Sequence, residues 1–96
     1  MKPSLALASH RADIQAAVSR HRSARPRVFG SVLHGTDEEG SDLDLLVDAL
    51  PGATLFDLGG LQAELETLLG VRVDVLTAQD LPVKFRDQVL AQARAV

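Results

Sequence analysis

The chain has no cysteine, no tryptophan and no tyrosine, and only three phenylalanines. Without cysteine there is no disulfide framework, no thiolate zinc site and no cysteine nucleophile, so any metal must be held by oxygen or by histidine. Oxygen ligands point to magnesium or manganese. The scarcity of aromatics leaves little surface on which bases could stack, and a net charge of −3 gives no general attraction to nucleic acid. Direct nucleic-acid binding is therefore not expected. Long apolar runs are missing too. None approaches the ~20 residues that span a bilayer, and the N-terminus lacks the charged, apolar and small-residue order of a secretory signal. A cytoplasmic protein without membrane contact is expected.

What is present suits a compact domain. The 96 residues are 46% hydrophobic and 24% charged, with no internal repeat, low-complexity tract or long charge run. One domain, residues 1–96, is expected. Its core is small, because a chain of this length buries only roughly 60–65% of its unfolded surface.

Periodicity assigns the elements. Ala12, Ile14, Ala16, Ala17 and Val18 fall mostly at helical spacing, which predicts a helix from Ser9 to about Arg22 with Ser9 as its cap and Asp13 near its positive end. Residues 1–8 are expected to be loose. Arg25-Pro26 ends the helix, and Arg27-Val28-Phe29 reads as a short strand entering Gly30. The segment from His34 to Ser41 reads as a loop. Leu43, Leu45 and Val47 alternate with Asp42, Asp44, Leu46 and Asp48, a strand with one apolar and one largely acidic face.

Pro51-Gly52 breaks that strand. Leu55, Leu58, Leu61, Leu65, Leu68 and Leu69 then recur at helical spacing up to Gly70, interrupted by Gly59-Gly60, which weakens a helix by about 1 kcal/mol per glycine. Val71, Val73 and Val75 alternate with Arg72, Asp74 and Leu76 in a third strand. Thr77 to Pro82 reads as a turn, and Val83 to Ala95 as a final helix. The expected fold class is α/β (α+β): a small mixed β-sheet with helices packed on one face and the other left to the acids.

The acids carry the chemistry. Asp42 and Asp44 lie two apart on a strand and point to one side, where their mutual repulsion is relieved by a divalent cation. Alone, Asp-x-Asp is more often a solvated strand edge. Upstream, a strand ends in Gly30-Ser31, where backbone N–H groups can approach an anion and a hydroxyl can bond phosphate. Alone, Gly-Ser is an ordinary turn. Together, with Asp74 on the next strand, they make a specific pattern.

With that pattern the sequence resembles the minimal nucleotidyltransferases of the polymerase-beta-like superfamily. The resemblance rests on His10-Arg11, Val28-Phe29-Gly30-Ser31, Gly35-Thr36, Ser41 to Val47, Val73 to Thr77 and Val89 to Ala93. It implies the polymerase-beta-like fold, with Gly30 and Ser31 cradling a triphosphate and Asp42 and Asp44 as ligands of a nucleotide-bound Mg2+. It implies Asp74 as the third carboxylate, completing a two-metal site and helping to deprotonate the attacking hydroxyl. Family members commonly carry arginines in the turn after Gly-Ser, where this chain has Val32 and Leu33, then His34.

The remaining polar residues read as ordinary surface. His34 is an exposed loop histidine, with a role at the phosphates as the alternative, and neither His10 nor His21 looks like a ligand. Asp37, Glu38 and Glu39 form a solvated acidic loop, and Asp48 an exposed strand end. Arg72, Lys84, Arg86 and Arg94 are surface charges that double as candidate phosphate or partner contacts.

Stand-alone domains of this length resemble the antitoxin half of two-component modules paired with a HEPN ribonuclease. The resemblance implies a cytoplasmic antitoxin that transfers AMP from ATP to a tyrosine hydroxyl of the toxin (AMPylation). A hetero-oligomer with the toxin is expected, with a second copy of the chain as the other candidate, bound through a sheet edge or the final helix. A non-catalytic antitoxin that inhibits by binding alone is the alternative, favoured by the altered turn. Transfer to a small molecule is the third reading, though such relatives are larger.

Overall fold

The computed structural model describes residues 1–96. A four-stranded mixed sheet of order β3-β2-β1-β4 forms its centre. Strand β1 (Ser23–Phe29) pairs antiparallel with β2 (Leu43–Ala49) and with the two-residue β4 (Arg94–Ala95), while β2 pairs parallel with β3 (Val73–Leu76). The parallel pair needs a crossover, which is the helix read from the leucine spacing. It is the longest of the five helices: α1 (Pro3–Ser9), α2 (Arg11–Arg20), α3 (Ser31–His34), α4 (Leu55–Leu69) and α5 (Val83–Gln92).

Alternation in the strands and period in the helices build one core. Leu43, Leu45 and Val47 of β2, Val28 of β1, and Val73 and Val75 of β3 meet Ile14, Ala17 and Val18 of α2 and Leu61, Leu65 and Leu69 of α4. Helix α4 starts at a reciprocal cap, in which Thr54 N–H donates to the Asp57 carboxylate (2.8 Å) and Asp57 N–H to the Thr54 hydroxyl (3.4 Å), and it stops at Gly70. Gly60 is explained by packing. A Cβ there would stand 3.2 Å from the His21 ring, which lies against α4 with Nε2 3.2 Å from Glu64.

Several expectations are corrected. Residues 3–9 are helical, with Ala6 and Leu7 buried in the core, and Ser9 ends α1 where it was expected to cap the next helix. His10 precedes α2, with no side-chain cap. Strand β1 begins at Ser23, upstream of the proline. The ladder is irregular between Ala24 and Arg27, where Arg25 adopts φ 51°, and at that bulge Pro26 needs no ladder N–H. Ser31–His34, expected as turn and loop, forms α3, and Ala78–Asp80 forms a short 3-10 helix where a turn was expected. Helix α5 ends at Gln92, and Arg94–Ala95 forms β4 where helix was expected.

One sheet edge is covered by a helix, and the other ends in a very short strand. Outside β3, Val73 N–H donates to the Glu66 carboxylate (3.1 Å) and Val75 N–H to the Gln62 side-chain carbonyl (3.3 Å), both from α4. Outside β1 lies β4, with Val96 N–H bonded to the Pro26 carbonyl at 2.9 Å. No helix is long and apolar enough to cross a membrane.

Candidate active site

Residues of β2 that do not face the main core face the other side of the sheet. Asp44, Leu46 and Asp48 lie there, as the alternation predicts, and Leu46 is fully buried. In the parallel register Asp44 stands beside Asp74, and in the antiparallel register Phe29 stands beside Asp44. The sheet thus sets Asp74, Asp44 and Phe29 in a row across three strands. Asp42 lies one residue before β2, and the adjoining Leu43 N–H bonds the Arg72 carbonyl at 2.8 Å, which ties the start of β2 to the start of β3.

Gly30 follows Phe29 directly and adopts φ 74°, ψ −149°, a conformation open to glycine but not to residues with a Cβ. The space is as restrictive as the backbone, because a Cβ at this position would overlap the Asp44 carboxylate. The turn and the acidic strand therefore touch. Behind Gly30, α3 is anchored by His34 N–H to the Gly30 carbonyl (3.2 Å) and Thr36 N–H to the Ser31 carbonyl (3.0 Å). Its first N–H groups have no intrahelical acceptor and no side-chain cap.

The carboxylates disturb one another. Burial, then the charges of Asp74 and Asp42 and a hydrogen bond with Asp74, push Asp44 up to about 6. Asp44 is half-buried and Asp74 exposed. Arg72, largely exposed, forms an ion pair with Asp42 at 3.7 Å that water screens. As the side chains stand, no three acidic or imidazole groups converge to metal-holding distance. The donor chemistry still suits a hard divalent cation. All the candidate donors are carboxylate oxygens, and the burial and neighbouring charges that raise Asp44 penalise an ionised carboxylate in a way that such a cation relieves.

Other polar residues have structural duties. Asp37, expected in a solvated loop, is buried and accepts the Ser4 N–H at 2.9 Å, which caps α1 from a distant loop and holds the carboxyl below its ordinary range. Glu38 is exposed, and Glu39 pairs with the N-terminal amino group at 2.7 Å. Asp48 is no bare strand end, since Arg25 and Arg27 both bind it and lower its pKa. Arg86 donates to the Gln79 (3.2 Å) and Leu81 (3.1 Å) carbonyls, which ties it to the turn before α5. His34 is exposed, and Val32 packs against the core. Phe29 was missed in the sequence, although its place two residues after Arg27 puts it on the acidic side of the sheet.

Residues 13–96 match the nucleotidyltransferase domain family. The chain belongs to that family. A chain of Methanocaldococcus jannaschii provisionally named a protein adenylyltransferase is 39% identical over 74 residues, covering 77% of this chain and 80% of that one. The protein adenylyltransferase MntA of Thermococcus cleftensis is 38% identical over 65 residues, 68% of this chain and 66% of the relative. Among solved structures, one provisionally named a minimal nucleotidyltransferase superposes with TM-score 0.79 at 46% identity, over 94% of this chain and 95% of that one. A toxin-antitoxin structure with AMP-PNP superposes with TM-score 0.73 at 22% identity, over 88% of this chain and 69% of that one, a likeness of fold. The nucleotidyltransferase chain thus has the minimal mixed-sheet architecture that its sequence resembles, and its substrate is a nucleotide.

Proposed function

We propose that this nucleotidyltransferase is an antitoxin that transfers AMP from ATP to a tyrosine hydroxyl of a partner HEPN ribonuclease, silencing it. The observation that carries the reading is the Gly30 turn pressed against Asp44 while Asp44 stands beside Asp74. A Gly-Ser turn lying against a carboxylate pair supports a phosphate-binding role for the turn. The protein-adenylyltransferase names of the relatives support the adenylyl group and a protein acceptor. The toxin-antitoxin neighbours support the partner.

Each side chain then has a task. The free N–H groups after Gly30 and the Ser31 hydroxyl bind the triphosphate. Asp42 and Asp44 would hold Mg2+ with the nucleotide, and Asp74 would complete a second metal position. Such ions would supply positive charge to balance that on the phosphates. The tyrosine oxygen forms a bond to the α-phosphorus, the bond from that phosphorus to the bridging oxygen breaks, and pyrophosphate leaves. The phenolic proton passes to Asp74. A phenol with an ordinary pKa of ~10 is mostly protonated at neutral pH, which is why an acceptor carboxylate matters.

A second reading is favoured by Val32 and Leu33. Val32 is committed to the core, so the turn lends no arginine to the phosphates, and the chain would inhibit its toxin by binding alone. Mass spectrometry separates the two. With ATP, Mg2+ and the partner, the wild type adds AMP-sized increments to the toxin, and Asp42→Asn/Asp44→Asn adds none. An unmodified toxin that is nevertheless inhibited would establish the binding module.

A further inference from the structure

Beside the carboxylate row, between the Gly30 turn and α5, lies a cavity of about 210 Å³. Gly30 belongs to both, and Phe29 reaches the cavity from its place opposite Asp44. The lining is neutral in character. Phe29, Leu33, Phe85 and Val89 give it apolar walls, and Gln88 and Gln92, one helical turn apart, add two amides. No lysine, arginine, aspartate or glutamate lines it, and His34 is its one titratable group. A phosphate would find little there to balance its charge.

A flat uncharged heterocycle would find what it needs. Each amide offers a donor and an acceptor to ring-edge groups, and phenylalanine offers a face or edge for stacking. The volume falls below the roughly 300–1,000 Å³ of pockets that take drug-sized ligands, and suits a single ring system rather than a whole nucleotide. The roof can adapt, because α5 contributes no buried residue to the fold and is held at its start by Arg86. A ring entering beneath α5 displaces no core side chain.

We infer that this cavity takes the nucleobase of the nucleotide whose phosphates meet Gly30 and the carboxylates, with Phe85, Leu33 and Val89 enclosing the ring and Gln88 and Gln92 reading its edge. The inference rests on the proposed use of ATP. It assigns base choice to α5, which contributes none of the carboxylates.

Binding of ATP and of inorganic tripolyphosphate, each with Mg2+, tests it on the full chain by calorimetry. Val89→Trp fills the cavity and should weaken ATP at least about tenfold, while Gln88→Leu should weaken it about three- to tenfold, the worth of one hydrogen bond. Tripolyphosphate affinity should hold for both variants, and unchanged circular dichroism and Tm confirm their fold. ATP affinity that survives Val89→Trp, or ATP and tripolyphosphate falling together, overturns the inference. Retained ATP affinity with lost toxin binding also overturns it, and gives the cavity to a side chain of the partner. AMP transfer with unchanged KM for ATP in Val89→Trp removes the inference and leaves the proposed function standing. A wild type that binds neither ligand removes both.

Discussion

Gly30 and Asp44 contend for one small volume, and the contact makes each residue a condition of the other. Gly30→Ala places a Cβ on the Asp44 carboxylate and forces a left-handed φ on a residue that resists it. A cost of about 1–3 kcal/mol in stability is expected by urea denaturation, with nucleotide binding lost. Asp44 itself is poised against the fold. In the unfolded chain it ionises near pH ~4, whereas burial and its acidic neighbours push it up to about 6 in the folded one. Between those values the folded state keeps a proton that the unfolded state releases, so metal-free stability is full below pH ~4 and falls as pH rises toward 6. Asp44→Asn removes that loss. Its stability advantage, read by urea denaturation, should open between pH 4 and 6 and stay level above, reaching about 1–2 kcal/mol once solvent screening of a half-exposed group is allowed for. A pH-independent difference would show that ionising Asp44 does not strain the fold.

At the scale of elements, α4 combines a buried leucine face with a polar pair that seals the sheet. Gln62 and Glu66 lie four apart and engage alternate N–H groups of β3, so the helix completes the strand beneath it. Gln62→Ala/Glu66→Ala should cost about 1–3 kcal/mol and expose an edge that pairs between molecules. Analytical ultracentrifugation should then show concentration-dependent association that is absent from the wild type. The leucine period made α4 readable from sequence, and the acidic alternation made β2 readable. Elements of two to four residues, α3 and β4, carry no period to read. Helix α1 was missed because its stability comes from the Asp37 carboxylate and the core, both tertiary. The full length of β1 was hidden because Pro26 looks like a terminator until a bulge accommodates it.

For the whole molecule, the carboxylates and the Gly30 turn were legible because their spacing along the chain is itself the pattern, and because strand alternation predicts which side each acid takes. The cavity under α5 was not, since it depends on two distant segments approaching without burying one another. Asp37 links remote parts too, by tying the loop before β2 to the first turn of α1. Asp37→Ala should lower Tm and speed amide hydrogen exchange across residues 3–9 while exchange in β2 and β3 stays slow. Uniform acceleration across the chain would instead mean that α1 melts only with the rest. The sheet edges limit how a second protein can be recognised. Adding a strand at β3 is closed to it, because Gln62 and Glu66 hold that edge, and at the other edge the two-residue β4 offers only a short run of backbone groups. Recognition then falls to exposed side chains, which can change without disturbing the hydrogen bonds of the sheet. Duplicated copies of this module could therefore diverge into mutually insulated pairs by a few surface substitutions each, keeping one scaffold and one chemistry throughout.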